Sequence, residues 1–316
     1  MDDFPRFAAA IAALFLTPAA QASANSSHGV ADHPSGSEVK IERKFLQGPF
    51  GQVHVRISRP QSENSRIPLV LFHPTPYSGD YFAALMENMG KDRVVIAIDT
   101  PGYGDSDSPS TLPTIRDYAE SAEAVLDALG YGKDSGMMID VLGYHTGCLI
   151  AAELALIRPD MVRRLVLPGL PFYTGDARTA AYAENAKPDE IASDGSHLRA
   201  KWDFSTGAVR AGLSLERGQQ HFNDAMQCYP NCWKAYHAVF SDETEKQLAK
   251  IKQPVLLITN AGSLKEETEA AQEYLRNARL VHFPEISLGG FDLHTEILAK
   301  AVREFLDNDG SEKHRN

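Results

Sequence analysis

The apolar positions of this 316-residue chain fall into two patterns that alternate along it. Short apolar runs at 67–72, 94–98, 138–142, 161–167, 254–259 and 280–283 have the length and β-branched content of buried strands. Ahead of them, 37–45 and 53–58 predict two strands joined by a turn at Gly48-Pro49-Phe50-Gly51, an antiparallel start to a sheet. Between the runs, apolar residues recur at helical spacing. Ile115, Tyr118, Ala122, Val125, Leu126 and Leu129 form one such face, and Leu293, Ile297, Leu298, Val302, Phe305 and Leu306 form another. Strands that alternate with helices imply a largely parallel sheet covered on both faces. From 172 to about 250 the strand pattern stops and helices with polar turns replace it. The expected fold class is therefore α/β, with a mostly parallel central sheet, helices on both faces and an inserted helical cap. Residues 38–171 and 251–308 make the core, 172–250 the cap and 309–316 a short tail.

Composition narrows the partners. Hydrophobic residues are 43% and charged residues 23% of the chain, as in an ordinary soluble globular protein. A formal net charge of −11 argues against nucleic acid or an anionic membrane, both of which need a basic surface. No Gly-rich nucleotide loop and no metal-ligand spacing occurs, so no cofactor or metal is implied and the expected partner is a small-molecule substrate. Residues 7–20 are apolar and lead into Ala22-Ser23-Ala24, which resembles a signal cleavage site. We expect 1–24 to be a signal peptide, although Asp2 and Asp3 stand where basic residues are usual, and 25–37 to be a flexible lead-in. The mature protein is then exported, periplasmic or secreted, with no membrane contact after cleavage. Three cysteines make no disulfide framework. Cys228 and Cys232 flank Tyr-Pro-Asn, which allows a local disulfide or two free thiols, and Cys148 reads as buried.

The candidate chemistry is concentrated at Gly143-Tyr144-His145-Thr146-Gly147, between a predicted strand and a predicted helix. A sharp strand-to-helix turn needs small residues on both sides of its strained central residue. Gly143 and Gly147 meet that need, and the central residue is a histidine.

Three further motifs stand in order with it: Leu71-Phe72-His73-Pro74-Thr75-Pro76, Pro101-Gly102-Tyr103-Gly104-Asp105-Ser106, and 158–167 with its Arg-Pro-Asp lead into a strand. Together they resemble the α/β-hydrolase fold over roughly 38–308. The first is similar to the family's loop that donates one oxyanion N–H, and the elbow is similar to G-x-S-x-G with His145 in place of the serine. Asp194-Gly195-Ser196-His197-Leu198, followed by Trp202, resembles a cap segment in a branch of the superfamily with a G-x-H-T-G elbow.

The other two catalytic positions depart from the family as well. Where the acid is expected stand Asn260-Ala261-Gly262-Ser263, and where the histidine is expected stand Leu288-Gly289-Gly290. A Ser-His-Asp mechanism is therefore not expected. A histidine at a helix N-terminus should have a lowered pKa and act as a neutral general base or nucleophile. The N–H groups of Thr75 and Thr146 would form the oxyanion hole, since Pro74 has none. His73, Tyr144, His197 and Trp202 are the candidate substrate contacts, while the Tyr236-His237 pair reads as helix packing. The resemblance implies an enzyme acting on a small carbonyl compound, by hydrolysis or by cofactor-free C–C or C–O cleavage. The alternative is an inactive homologue that binds a small ligand, and a carboxylate or second histidine within reach of His145 would favour catalysis.

Overall fold

The computed structural model describes residues 39–62 and 65–308; the expected signal peptide, lead-in and tail lie outside the described residues. The chain builds eight strands: β1 (Ile41–Gly48), β2 (Gly51–Ser58), β3 (Arg66–Phe72), β4 (Arg93–Ile98), β5 (Ile139–Gly143), β6 (Val162–Pro168), β7 (Val255–Asn260) and β8 (Ala278–Phe283). They form one sheet in the order β1-β2-β4-β3-β5-β6-β7-β8. The pairs β1–β2 and β2–β4 are antiparallel, and every other pair is parallel. β1 runs to Gly48, three residues past the expected end, because the hairpin closes tightly with Gly48 paired to Gly51. Gly51 takes a φ of 122° there, and a Cβ on it would lie 2.4 Å from the Asp107 carboxylate.

The two faces of the sheet divide the apolar residues by the period of two that a strand imposes. Val70, Phe72, Ile96 and Ile98 point to one side, against α2 (Ile115–Leu126) and α3 (Thr146–Ile157). Leu69, Leu71, Val95 and Ala97 point to the other, against α1 (Ala83–Met89) and the closing helix. α2 begins with a capping box, in which the Thr114 hydroxyl accepts from the Asp117 N–H and the Asp117 carboxylate accepts from the Thr114 N–H. It stops short of the expected Leu129, because Asp127–Tyr131 opens into a wider turn with Gly130 at a φ of 97°. α3 is apolar all round except at Glu153, and it packs against the sheet, α2 and the inserted segment.

Between β6 and β7 the described chain is helical: α4 (Gly175–Asn185), α5 (Ser196–Ser205), α6 (Leu215–Gln227), α7 (Trp233–Ser241) and α8 (Thr244–Leu248). After β7 come α9 (Lys265–Ala271), α10 (Gly290–Leu293) and α11 (Thr295–Asp307). Cys228 and Cys232 form a disulfide at the end of α6, and Cys148 is a free, buried thiol. No helix of the described residues is long and apolar enough to cross a membrane.

Asp140, at the start of β5, is fully buried and takes a two-pronged contact from Arg163 at 2.9 and 2.7 Å. It closes the end of the sheet opposite the elbow and orients nothing there. The carboxyl ends of β3, β5, β6 and β7 all open toward the same side, where a parallel sheet places its ligand. Beneath the inserted helices they frame a cavity of about 200 Å³.

Candidate active site

The elbow follows directly from the glycines around it. A Cβ on Gly143 would stand 2.0 Å from the Gly147 carbonyl oxygen, and one on Gly147 would stand 2.1 Å from that of Phe72. Strand, turn and helix are therefore packed backbone to backbone, and only hydrogen atoms fit between them. His145 sits at the apex with φ 50° and ψ −116°, a conformation that costs a residue with a side chain about 1–3 kcal/mol. Gly169, after β6, makes room for its ring. A Cβ there would approach the imidazole Cδ2 to 2.7 Å and Nε2 to 2.9 Å.

Burial pushes the His145 pKa down to about 4, so the ring is neutral at pH 7. The Tyr144 ring centroid lies 4.0 Å from it, Gly169 faces it, and the His145 backbone N–H donates to the Pro168 carbonyl at 3.4 Å. Among the described residues no carboxylate or second histidine hydrogen-bonds the His145 ring. A base is strengthened by an acceptor for its second ring proton, and no described residue offers one to His145.

Thr75 and Thr146 both line the cavity beside His145. Thr146 begins α3, where the first N–H groups of a helix have no partner within it. Neither Thr75 N–H nor Thr146 N–H donates to another described residue, so both remain available to a ligand. The Tyr236 hydroxyl of α7 reaches the Thr75 carbonyl at 3.4 Å and so braces the loop. Tyr236 lines the cavity, contrary to the packing role expected for it.

Three expected contacts lie elsewhere. His73 is buried with both ring nitrogens engaged. Nδ1 is 3.1 Å from the Pro74 carbonyl, and Nε2 accepts from the Thr100 N–H at 2.9 Å. It ties two loops together and does not face the cavity. His197 accepts from the Ala192 N–H at 3.2 Å and stacks on Tyr229 at 5.5 Å. Trp202 packs edge-on against Phe222 at 5.4 Å. Both belong to the packing of the inserted helices because their polar and apolar faces find partners there first. Tyr144 does line the cavity, and burial raises its pKa to about 12.

The positions expected for a family acid and histidine also border the cavity, as Asn260, Gly262 and Ser263 on one side and Leu288 and Gly289 on the other. None of them carries an imidazole or a carboxylate. Four residues past Leu288, however, stands Asp292, and its Oδ2 lies 2.9 Å from His221 Nε2. His221 comes from α6 in the inserted segment, and both residues line the cavity. Sequence reasoning missed this pair because 71 residues separate its members. The local signals were faint, namely a histidine on the buried face of an amphipathic helix and an aspartate two residues after Gly289-Gly290.

His54, on β2, also clusters with Asp99 and Asp105 beyond the end of β4. Asp99 already accepts from His54 at 2.8 Å, Gly79 N–H at 2.8 Å and Asp105 N–H at 3.1 Å, which makes it a brace between loops.

Comparison with known proteins agrees with this fold. A family model described as the alpha/beta hydrolase fold matches residues 67–262. The chain is similar to a putative carbamate hydrolase from Pseudomonas savastanoi pv. phaseolicola, with 27% identity over 67% of this chain and 83% of that one. It is also similar to a 2-(acetamidomethylene)succinate hydrolase from Mesorhizobium japonicum, with 24% identity over 80% and 92%. Among solved structures, an esterase from Rhodococcus sp. ECU1013 superposes with a TM-score of 0.68 at 19% identity, covering 84% of this chain and 98% of that one. An enol-lactonase from Burkholderia xenovorans LB400 gives 0.67 at 16% identity, covering 84% and 100%.

Proposed function

The chain belongs to the α/β-hydrolase fold family, and on that premise we propose that it is an enzyme that cleaves a small carbonyl compound without a cofactor, by hydrolysis in the first instance. The observation that carries this reading is the preserved, strained elbow. Backbone strain of this kind persists where the surroundings enforce it: Gly143 and Gly147 let strand, turn and helix close on one another, and Gly169 clears space for the side chain at the apex. In this reading the N–H groups of Thr75 and Thr146 hold the developing oxyanion, at about 3 kcal/mol each. The neutral His145 imidazole hydrogen-bonds and orients the reacting water or carbonyl. The names of the two relatives, a carbamate hydrolase and a substituted succinate hydrolase, support a small polar carbonyl substrate.

One observation favours a ligand-binding homologue instead: the His145 ring has no hydrogen-bonding partner among the described residues and sits against an aromatic ring. A panel of small esters, lactones, carbamates and amides separates the two. Turnover that falls about 10²–10³-fold in His145→Ala, with melting temperature unchanged, supports the enzyme. Tight binding of a panel compound with no turnover supports the binding protein. We also propose export. The apolar segment at 7–20 motivates it, and the Cys228–Cys232 disulfide fits an oxidising compartment.

A further inference from the structure

We propose that His221 is the proton-transferring catalytic residue of this cavity and that Asp292 is the residue that positions it. The proposal rests on the hydrolytic reading above and supplies the base that His145 does not provide. His221 is 5% exposed, and the small surface it keeps lies on the cavity wall. Its Nε2 meets Asp292 Oδ2 at 2.9 Å, which fixes the ring proton on Nε2 and leaves the Nδ1 lone pair free. Among the described residues nothing hydrogen-bonds Nδ1.

Asp292 is suited to hold that tautomer. Burial alone would raise its pKa, but the hydrogen bond from His221 and the Arg217 charge outweigh burial and keep it below the usual carboxylate range. Arg217 Nε contacts Asp292 at 2.9 Å and Arg217 Nη1 contacts Asp80 at 2.6 Å, so the carboxylate is held by a second charged partner. The rings of Tyr77 and Tyr81 pack on His221, each with centroids at 5.3 Å, and leave the imidazole little freedom to rotate. A histidine serving only to pack the inserted helices would not need a half-buried carboxylate shared with an arginine.

The step is conventional in its balance. A water molecule gives its proton to Nδ1 while its oxygen bonds to the substrate carbonyl carbon. The carbonyl electron pair moves to the oxygen, where the Thr75 and Thr146 N–H groups hold it. When that pair returns, the bond to the alcohol or amine group breaks, and the leaving group takes the proton back from Nδ1.

The test uses His221→Gln and Asp292→Asn in the full chain, on whichever panel compound the wild type hydrolyses. Each variant should lose about 10²–10⁴-fold in kcat with little change in KM. Added imidazoles should restore turnover to His221→Ala, more strongly as the pKa of the added base rises, which a packing role would not produce. A kcat within threefold of wild type in His221→Gln overturns the proposal while leaving the enzymatic reading intact. If the wild type hydrolyses nothing, it is the enzymatic reading that fails. The proposal then falls with it; ring-nitrogen NMR of the wild-type protein at neutral pH serves should a variant fail to fold. A neutral His221 protonated on Nε2 supports the assignment, and one protonated on Nδ1 overturns it.

Discussion

His145 and His221 line the same cavity but are held there by opposite means. His145 is placed by backbone: a strained apex, two glycines that let strand and helix close around it, a third that makes room for its ring, and a helix that starts beneath it. Among the described residues no side chain hydrogen-bonds its ring. His221 is placed by side chains, through Asp292, Arg217 and Asp80 in series. The difference separates two kinds of preorganisation. A backbone turn fixes where an atom sits and leaves its electrostatics to burial. A chain of charged partners also sets the tautomer and basicity. A site that must both orient a carbonyl and move a proton has a use for each.

The comparison is broken most severely at Gly143. Its Cβ would fall 2.0 Å from the Gly147 carbonyl oxygen and 2.6 Å from the Cys148 nitrogen, both backbone atoms that cannot rotate away. Gly143→Ala should therefore cost about 4 kcal/mol or more, at the exceptional end for a single substitution. Thermal unfolding is expected to drop by about 10 °C or more, or the protein is recovered unfolded. A melting temperature within 2 °C of wild type would mean that the elbow is not held by backbone contact.

The elbow was legible in the sequence for the same reason that Gly143→Ala is costly. Five consecutive residues impose their own geometry, so Gly-Tyr-His-Thr-Gly between an apolar strand and an apolar helix could be read directly. The sheet was legible too, since strands buried on both faces must be apolar throughout. The dyad was not. A histidine at 221 and an aspartate at 292 meet only because the inserted helices fold back over the carboxyl ends of the strands, and no local pattern encodes that docking. His197 and Trp202 failed as candidates for the converse reason. They share the inserted segment, but their helix face packs on its neighbours and not on the cavity. Tyr236 was passed over because a tyrosine inside a helical pattern looks like packing until the loop carbonyl opposite it is known.

A moderate effect is expected from pH, and it sharpens the claim that burial alone governs His145. The unfolded chain protonates an ordinary imidazole near pH 6.5, whereas the folded His145 does so only near 4. Between those values the unfolded state binds more protons, so stability falls as pH drops from about 6.5 to 4 and levels below that. The ring keeps some surface toward the cavity, which limits this contribution to about 1–3 kcal/mol. His73, with its pKa lowered by burial, acts in the same sense. Asp224 and Asp242, raised to about 6 by burial, act in the opposite sense. The informative quantity is therefore the difference between wild type and His145→Ala in urea titrations at pH 7 and pH 4.5. The variant should lose less stability on acidification, and identical losses would show that His145 is not desolvated.

The smallest effect is expected at Tyr236, where the inserted helices touch the elbow side of the cavity. Its hydroxyl reaches the Thr75 carbonyl at 3.4 Å, the long end of the hydrogen-bond range. Burial holds its phenol pKa well above the ordinary value, so the hydroxyl stays protonated and donates across the whole working range of pH. Tyr236→Phe removes that donor and keeps the ring, which stacks on Phe240 at 6.4 Å. The Thr75 carbonyl borders the cavity, where water replaces the lost donor, so stability should change by less than about 1 kcal/mol. If backbone geometry places the Thr75 N–H, its aim survives the loss of this brace and kcat changes by no more than about fivefold, a barrier change of about 1 kcal/mol. A fall of a hundredfold or more would mean that the inserted helices position the oxyanion loop through this one hydroxyl. The elbow side would then depend on side chains as the His221 side does, and the contrast between the two halves of the cavity would disappear.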